Sequence, residues 1–340
     1  MAKQSPSEQL DKLITRLLRT AGVPAPRDKA ARSSNNQFPP ALEMISSLRD
    51  LPRPEFRARL KSDLERRALM ASAPEPAAHY IRPGFHTITP YLIISGAAKW
   101  IDFAKQAFGA EEKFRAQRPS PPAGEAGSDT IMHAEVQIGD SIIELADANP
   151  QFPAMPMTLL IRVSDPDLAY HDAIAAGATE LYPVEDRDYG VRGGTVVDPA
   201  GNKLDISSPA PGNEIFREFR SVTPHLNPVR SAPFIEFLEK AFGGVETYRA
   251  QPGDRIVHAQ MRVGDSIISM GDAHGPFQPM PCTLHLYVPD TDALYERALG
   301  AGAQSIQAPA DQPYGDRSAG VRDPFGNRWF IATHVRDVTP

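Results

Sequence analysis

The sequence predicts an α+β protein made of two homologous domains that follow a helical N-terminal region. Three observations lead to this fold class: a long internal repeat, alternating strand-like and helix-like segments within each copy, and a Pro-rich leader with a different pattern. The composition agrees, since 340 residues with 41% hydrophobic and 23% charged side chains are typical of a globular protein of two or three domains.

The internal repeat determines the domain organisation. Residues 133–147, HAEVQIGDSIIELAD, match residues 258–272, HAQMRVGDSIISMGD. Further matches keep the same order: 89–92 with 223–226, 105–117 with 239–251, and 198–202 with 323–327. The spacing changes only at a Pro/Gly-rich insertion in the first copy, residues 120–129, which is typical of a longer loop. We therefore predict one domain at 86–210 and a second at 218–336.

Each copy reads as two short modules of the same kind. In the first module, a strand-like TITPYLII is followed by a helix that ends at Gly109, and then by two strands joined at Gly139-Asp140. In the second module, a strand is followed by a helix with Asp165 as its cap and Pro166 in its first turn, and then by a closing hairpin. Alternating helices and hairpins with short loops indicate α+β domains built from paired sheet modules.

Several short motifs in the second copy resemble those of a known family. They are His258-Ala259, Gly264-Asp265-Ser266, Tyr314-Gly315-Asp316-Arg317 and Asp323-Pro-Phe-Gly-Asn327, and the first copy carries related residues. On these motifs residues 86–336 resemble the PhnB-like branch of the glyoxalase/bleomycin-resistance/dioxygenase (vicinal oxygen chelate, VOC) superfamily. The resemblance implies two tandem VOC domains, in which paired βαβββ modules form curved sheets with small-molecule cups. Since the superfamily contains isomerases, dioxygenases, thiol transferases and non-catalytic drug-binding proteins, it does not fix an activity.

The resemblance also implies where a metal would bind. Members with metal chemistry place two histidines and two carboxylates on four strands of one cup. In this chain those positions fall on Thr89, Glu144, Thr158 and Asp205 in the first copy, and on Thr223, Ser269, Thr283 and Phe330 in the second. Because a hydroxyl is a weak ligand and a phenyl ring is none, we predict no metal and no other cofactor. An alternative stays open, since His225 and His285 each lie two residues from a vacant position and could form a shifted metal or acid/base pair.

Four side chains are candidates for catalysis, and seven for ligand binding. Glu144, Asp205, His225 and His285 are the catalytic candidates, and the alternative for the carboxylates is an ion pair with an arginine such as Arg192 or Arg162. The predicted ligand-binding residues are Tyr91, His133, Tyr189, Arg192, His258, Tyr314 and Arg317. For the two histidines the alternative is a structural hydrogen bond. For the two arginines it is a tie to an aspartate such as Asp186 or Asp311.

The N-terminal region, residues 1–85, is predicted to be a helical arm with Pro-rich linkers. Ser5-Pro6-Ser7-Glu8 forms a capping box before a leucine stripe at helical spacing. Short isolated helices are only marginally stable, so their apolar faces need a partner. We expect this arm to mediate homo-oligomerisation or to bind a protein partner.

Composition excludes several function classes. No apolar run is long enough to cross a membrane, no signal peptide is apparent, and Cys282 is the single cysteine, so we expect a cytoplasmic protein without disulfides. The net charge of −6 argues against nucleic acid as a partner. The sequence thus favours metal-independent binding of a small organic molecule. The alternatives are a divalent-metal lyase, isomerase or dioxygenase, and a ligand-sensing regulatory or scaffold protein that acts through its arm.

Overall fold

The computed structural model describes residues 80–117 and 130–338. The predicted helices of the N-terminal arm, and the insertion at 120–129, lie outside the described residues. Within the described part, none of the helices is long and apolar enough to cross a membrane.

The strands of the described residues form two curved sheets of eight strands each. Sheet A contains, in spatial order, β14 (Gln304–Asp311), β15 (Asp316–Arg322), β16 (Arg328–His334), β13 (Thr283–Tyr287), β1 (Ile88–Ile94), β4 (Ser141–Asp147), β3 (Ile131–Ile138) and β2 (Glu111–Gln117). Sheet B contains β10 (Val245–Ala250), β11 (His258–Val263), β12 (Ser266–Met270), β9 (Val222–Leu226), β5 (Thr158–Arg162), β8 (Lys203–Pro209), β7 (Val191–Val197) and β6 (Thr179–Arg187).

The sheets do not follow the repeat boundary. The first module of repeat one and the second module of repeat two form sheet A, where β1 pairs antiparallel with β13. The second module of repeat one and the first module of repeat two form sheet B, where β5 pairs antiparallel with β9. Each cup therefore combines residues from both copies, a partnership that similarity between the copies cannot reveal.

Within residues 80–117 and 130–338, four α-helices pack as two pairs behind the sheets. They are α1 (Ala97–Phe108), α2 (Pro166–Ala175), α3 (Ser231–Phe242) and α4 (Thr291–Gly300), with α1 against α2 and α3 against α4. The predicted helix ends hold: Gly109 follows α1 in the left-handed conformation, and the Asp165 side chain accepts from Leu168 N at the start of α2.

The alternation of β1 shows how each strand divides its side chains. Ile88, Leu92 and Ile94 are buried on one face and join a core that runs continuously behind both sheets. Thr89 and Tyr91 lie on the opposite face, which is the concave one. Cys282 also belongs to the core.

Two matched turns join the sheets. In the turn Gly264-Asp265-Ser266 of sheet B, Asp265 Oδ1 accepts from Thr87 N at 2.8 Å, just before β1 of sheet A. The equivalent Asp140 of sheet A accepts from Ser221 N at 2.8 Å, just before β9 of sheet B. The Gly-Asp-Ser motif is therefore a clamp between sheets as well as a hairpin turn.

The two tryptophans of the chain both donate to a buried aspartate of a DPxGN turn. Trp100 Nε1 on α1 donates to Asp198 at 2.6 Å, and Trp329 Nε1 on β16 donates to Asp323 at 2.9 Å. The Trp329 ring also contacts Phe242 of α3, with ring centroids 4.6 Å apart. The first turn thus anchors α1 to sheet B, and the second holds Trp329, whose ring contacts α3. The sequence alone does not reveal these roles.

Candidate functional site

The concave faces of the two sheets form two cups of very different character. We call them cup A and cup B after their sheets. Cup B contains an open cavity of about 470 Å³. Cup A retains about 270 Å³ at one side, because the segment Tyr80–His86 covers the rest of it.

Cup B has aromatic walls. Its lining includes the rings of Tyr189, Phe216, Phe219, Tyr248 and Phe277. Two of these come from the segment between the repeats, whose carbonyl groups Phe216 O and Phe219 O accept from the Arg162 guanidinium at 2.6 and 3.0 Å. Arg162, a predicted alternative partner for a carboxylate, holds this wall instead.

The polar floor of cup B is centred on His225. Asn227 Nδ2 donates to His225 Nε2 at 3.1 Å, so Nδ1 carries the proton and donates to Ser269 Oγ at 2.9 Å. Burial, reinforced by His258 and His274, lowers the pKa of His225 to about 3. The ring is therefore neutral at physiological pH, and both nitrogens are already engaged.

Two other predicted residues border the same cavity in weakly polar surroundings. Burial lowers the pKa of His258 to about 4, and Gln260 Nε2 lies 3.0 Å from its Nε2. Burial also raises the pKa of Asp205, against the hydrogen bonds from Ser207 and Thr195 that lower it. The cavity thus favours uncharged groups.

Cup A holds an acid and a base in direct contact. Glu144 Oε2 lies 2.8 Å from His285 Nδ1, and both side chains are buried. Burial would raise the pKa of Glu144, but the charge and hydrogen bond of His285 hold it below its usual value. Burial would likewise lower the pKa of His285, and Glu144 raises it instead. Both shifts favour the ionised form of the pair, and His285 Nε2 has no hydrogen-bond partner within the described structure.

A second carboxylate of cup A bonds to the covering segment. Arg82 Nη1 lies 2.5 Å from Glu135 Oε1, and Glu135 itself is 4% exposed. Burial lowers the pKa of Arg82, but the charge and hydrogen bond of Glu135 outweigh it and raise the pKa. The predicted Tyr91 and His133 lie beside them, with Tyr91 Oη 3.2 Å from His133 Nδ1.

The predicted catalytic residues therefore form two sets. Glu144 and His285 meet in cup A, whereas Asp205 and His225 line cup B. Glu144 and Asp205 thus lie in different cups, as do His225 and His285, because their strands belong to different sheets.

The residues at the expected ligand positions do not fit a divalent ion. Cup A brings together Thr89, Glu144, Thr283 and Phe330, and cup B brings together Thr158, Asp205, Thr223 and Ser269, so each set has one carboxylate and no histidine. Across residues 80–117 and 130–338, no three His, Cys, Asp or Glu side chains are placed to hold a metal.

The two predicted arginine clamps lie elsewhere. Arg192 donates to Asp167 of α2 and to Asp186, and Arg317 donates to Asp292 of α4 and to Asp311. Each arginine is one residue away from a cup-facing position on its strand, so its side chain points toward the helices. The observed contacts are therefore the alternative interpretation, an ion pair with an aspartate. Of the two predicted loop tyrosines, Tyr189 lines cup B, and Tyr314 is 60% exposed.

Sequence reasoning missed the segments that precede β1 and β9. Arg82 and Phe85 cover cup A, while Phe216 and Phe219 line cup B at the equivalent repeat positions. Their signal was available, since aromatic and basic residues recur just before the first strand of each copy. Both segments lie outside the aligned strands, so the comparison of the copies does not assign them to a cup.

Comparisons with known proteins agree with this architecture. A family model described as the Glyoxalase/Bleomycin resistance protein/Dioxygenase superfamily matches residues 230–331. An uncharacterized protein of Mycobacterium bovis is 35% identical over 130 residues, which is 35% of this chain and 86% of that protein. The chain belongs to the glyoxalase/bleomycin resistance protein/dioxygenase superfamily.

Two more similarities place this superfamily member among its relatives. An uncharacterized protein of Mycobacterium tuberculosis is also 35% identical over 130 residues, covering 76% of its length. The crystal structure of glyoxalase I from Zea mays has a TM-score of 0.53 at 14% identity, and covers 72% of this chain and 92% of that one. At that identity the likeness concerns the fold alone.

Proposed function

We propose that this protein binds a small, uncharged, largely aromatic molecule in cup B, without a metal. One observation carries the proposal: an open cavity of about 470 Å³ with aromatic walls and a floor of neutral polar groups. Ligand pockets are typically apolar concavities of roughly 300–1,000 Å³ with a few placed polar groups.

The walls support an aromatic guest. Tyr189, Phe216, Phe219, Tyr248 and Phe277 offer ring faces and edges from several directions. Aromatic pairs gain about 0.5–1.5 kcal/mol beyond the burial of their area.

The polar floor of cup B supports an uncharged guest. The neutral ring of His225, the hydroxyl of Ser269 and the amide of Asn227 are linked to one another, so they present hydrogen-bonding atoms without a net charge. A charged ligand group would lose its hydration against this floor. The two arginines of the lining, Arg162 and Arg220, already bond to the carbonyls of the aromatic wall and to Asp265.

The donor set supports binding without a metal. Asp205 is the single carboxylate at the four expected positions of cup B, and His225 already bonds through both nitrogens. An ion would have to displace these hydrogen bonds and find further ligands.

Binding of 2-naphthol, a neutral fluorescent probe with one hydroxyl, tests the proposal. We expect saturable binding of one molecule per chain, unchanged by a chelator or by added Zn²⁺, Mn²⁺ or Ni²⁺. Naphthalene-2-sulfonate, the charged analogue, should bind at least tenfold more weakly.

A matched pair of variants locates the probe. Leu160 lines cup B, so Leu160→Trp should fill the cavity and weaken 2-naphthol binding at least tenfold. Leu168→Trp makes the same change on the exposed surface of α2 and should leave binding unchanged. Equal affinities in the two variants, no saturable binding, or loss of binding with the chelator would each contradict the proposal.

A further inference from the structure

We propose that cup A is a second binding site, specific for a small organic cation with a guanidinium, amidinium or ammonium group. The segment Tyr80–His86, which we call the strap, occupies this site, and Arg82 stands where the cationic group of the ligand would bind.

The charge of cup A supports a cation. Glu135, Glu144 and Asp316 all lie on its concave face, and each is less than 5% exposed. Glu144 and Asp316 each have a histidine beside them, His285 and His334, so Glu135 is the carboxylate whose cation comes from the strap. At the equivalent positions cup B has Gln260, Ser269 and Val191, none of which is charged.

The residue that covers each cup matches the charge of that cup. Arg82 in the strap of cup A corresponds to Phe216 in cup B. Where the cup is acidic the covering residue is a cation, and where the cup is neutral the covering residue is a phenyl ring. This coordinated difference indicates that Arg82 is complementary to the cup beneath it rather than a chance surface residue.

The contacts that hold the strap over the cup centre on Arg82 and Phe85, while His86 ties its end to Asp265 and to the Asp140 carbonyl. Besides the Arg82–Glu135 ion pair, Phe85 packs edge-on against Tyr287 at 5.7 Å, and Tyr80 O accepts from His334 N at 2.9 Å. Arg82 is itself about two-fifths exposed, so a competing cation can reach Glu135 from the solvent.

An independent observation points to a ligand beneath the strap. His285 is more than nine-tenths buried, and its Nε2 has no hydrogen-bond partner in the described structure, although its Nδ1 bonds Glu144. Such orphaned polar atoms are rare in folded proteins. In the ionised pair Nε2–H is a donor, so an acceptor atom on the body of the ligand, separate from its cationic group, would supply the missing partner.

The remaining room in cup A suits the body of such a ligand. About 270 Å³ stay open beside the strap, lined by Tyr91, Phe152 and Phe330. Aromatic faces attract organic cations through the ring quadrupole. An aryl amidine therefore matches both the acidic and the aromatic parts of the cup.

The test uses the full chain and 4-aminobenzamidine, a fluorescent cation, with the neutral 4-aminobenzamide as its isostere. Arg82→Ala should tighten 4-aminobenzamidine binding at least tenfold, and Glu135→Gln added to that variant should reverse the gain. Arg217→Ala is the matched control, because Arg217 lies on the equivalent segment, is exposed and does not line cup B. Its affinity should equal that of the unmodified chain.

Hydrogen exchange on the unmodified chain gives an answer even if Arg82→Ala fails to fold. Millimolar 4-aminobenzamidine should speed exchange at residues 80–86 and leave residues 214–220 unchanged. The proposal is overturned if a folded Arg82→Ala binds the cation no better than Arg217→Ala, if 4-aminobenzamide binds equally well, or if the strap exchanges at the same rate with and without the cation.

Discussion

Single residues account for the different chemistry of two cups with the same fold. At one floor position cup A has Glu144 and cup B has Ser269, and at a neighbouring position cup A has His285 and cup B has Leu160. The first combination makes a buried ion pair. In cup B, Ser269 Oγ accepts a hydrogen bond from His225, and Leu160 forms part of the apolar wall of the cavity.

The Glu144–His285 pair should give stability a distinct pH dependence. The lowered pKa of Glu144 contributes stability above its ordinary value of 4.5, and this is lost as the pH falls through the folded value. The raised pKa of His285 contributes below its ordinary value of 6.5, and this is lost as the pH rises through the folded value. The pair therefore stabilises most between pH 4.5 and 6.5.

Glu144→Gln measures this contribution. We expect it to lower the free energy of unfolding by about 3 kcal/mol inside that window and by less on either side, because it leaves a buried histidine without its counter-charge. Urea unfolding across the pH range gives the difference. Ser269→Ala, the same floor position in cup B, should show a loss that varies little over the window, and parallel curves for both variants would contradict the assignment.

At the scale of elements, the two Gly-Asp-Ser turns connect sheet A to sheet B. Gly264 has a φ of 58°, and a Cβ added there would overlap the side chain of Thr87, whose hydroxyl accepts from Asp265 N at 3.2 Å. Glycine is thus required twice over, for the left-handed backbone and for the close approach of β1.

Gly264→Ala separates these two requirements when it is compared with Gly253→Ala. Gly253 also has a positive φ of 68°, but a Cβ there would meet nothing within 4 Å. We expect about 1–2 kcal/mol for the backbone in both variants, and about 1–3 kcal/mol more for Gly264→Ala because Thr87 must move. Denaturant unfolding checks this, and equal losses would mean that the turn does not clamp β1.

The element order was predictable, and the pairing of elements was not. Periodicity and turn residues located β1, α1, β3 and β4 within about a residue of their observed ends. Which modules share a sheet depends on contacts between segments far apart in the chain. The repeats are alike, so either pairing would bury equivalent faces.

Strand alternation predicted which face carries most of the candidate side chains, but not which strands share a cup. Tyr91, His133, His258 and the four catalytic candidates all lie on concave faces, because strand alternation determines the face of a side chain. Arg192 and Arg317 were expected in the cups, yet a one-residue difference in strand position turned them toward the helices. Arg82 was missed because its role comes from Glu135, which is far away in sequence.

At the scale of the whole molecule, the two repeats are interlocked. Each sheet contains strands from both, and one core runs behind both sheets. In this structure neither sheet is completed by the strands of a single repeat.

A cut between the repeats should therefore leave the protein intact. Pro211 and Gly212 are exposed in the connection between β8 and β9, and a protease site inserted there should be tolerated. After cleavage, both fragments should elute together from a sizing column with the light-scattering mass of the uncut chain. In urea they should elute separately. Fragments that separate in native buffer at micromolar concentration would show that the repeats fold independently.

The paired indole–carboxylate contacts have a spectroscopic consequence. Trp100 joins α1, a helix of the first module, to a turn of sheet B. Trp329 lies in sheet A, and its ring contacts α3, a helix of the third module. Each indole thus lies at a contact between a module of sheet A and a module of sheet B, and not in a ligand cavity. Tryptophan fluorescence, excited at long wavelength, would therefore report separation of the modules behind sheet A from those behind sheet B. A variant that keeps one tryptophan would report the kinetics of its own contact.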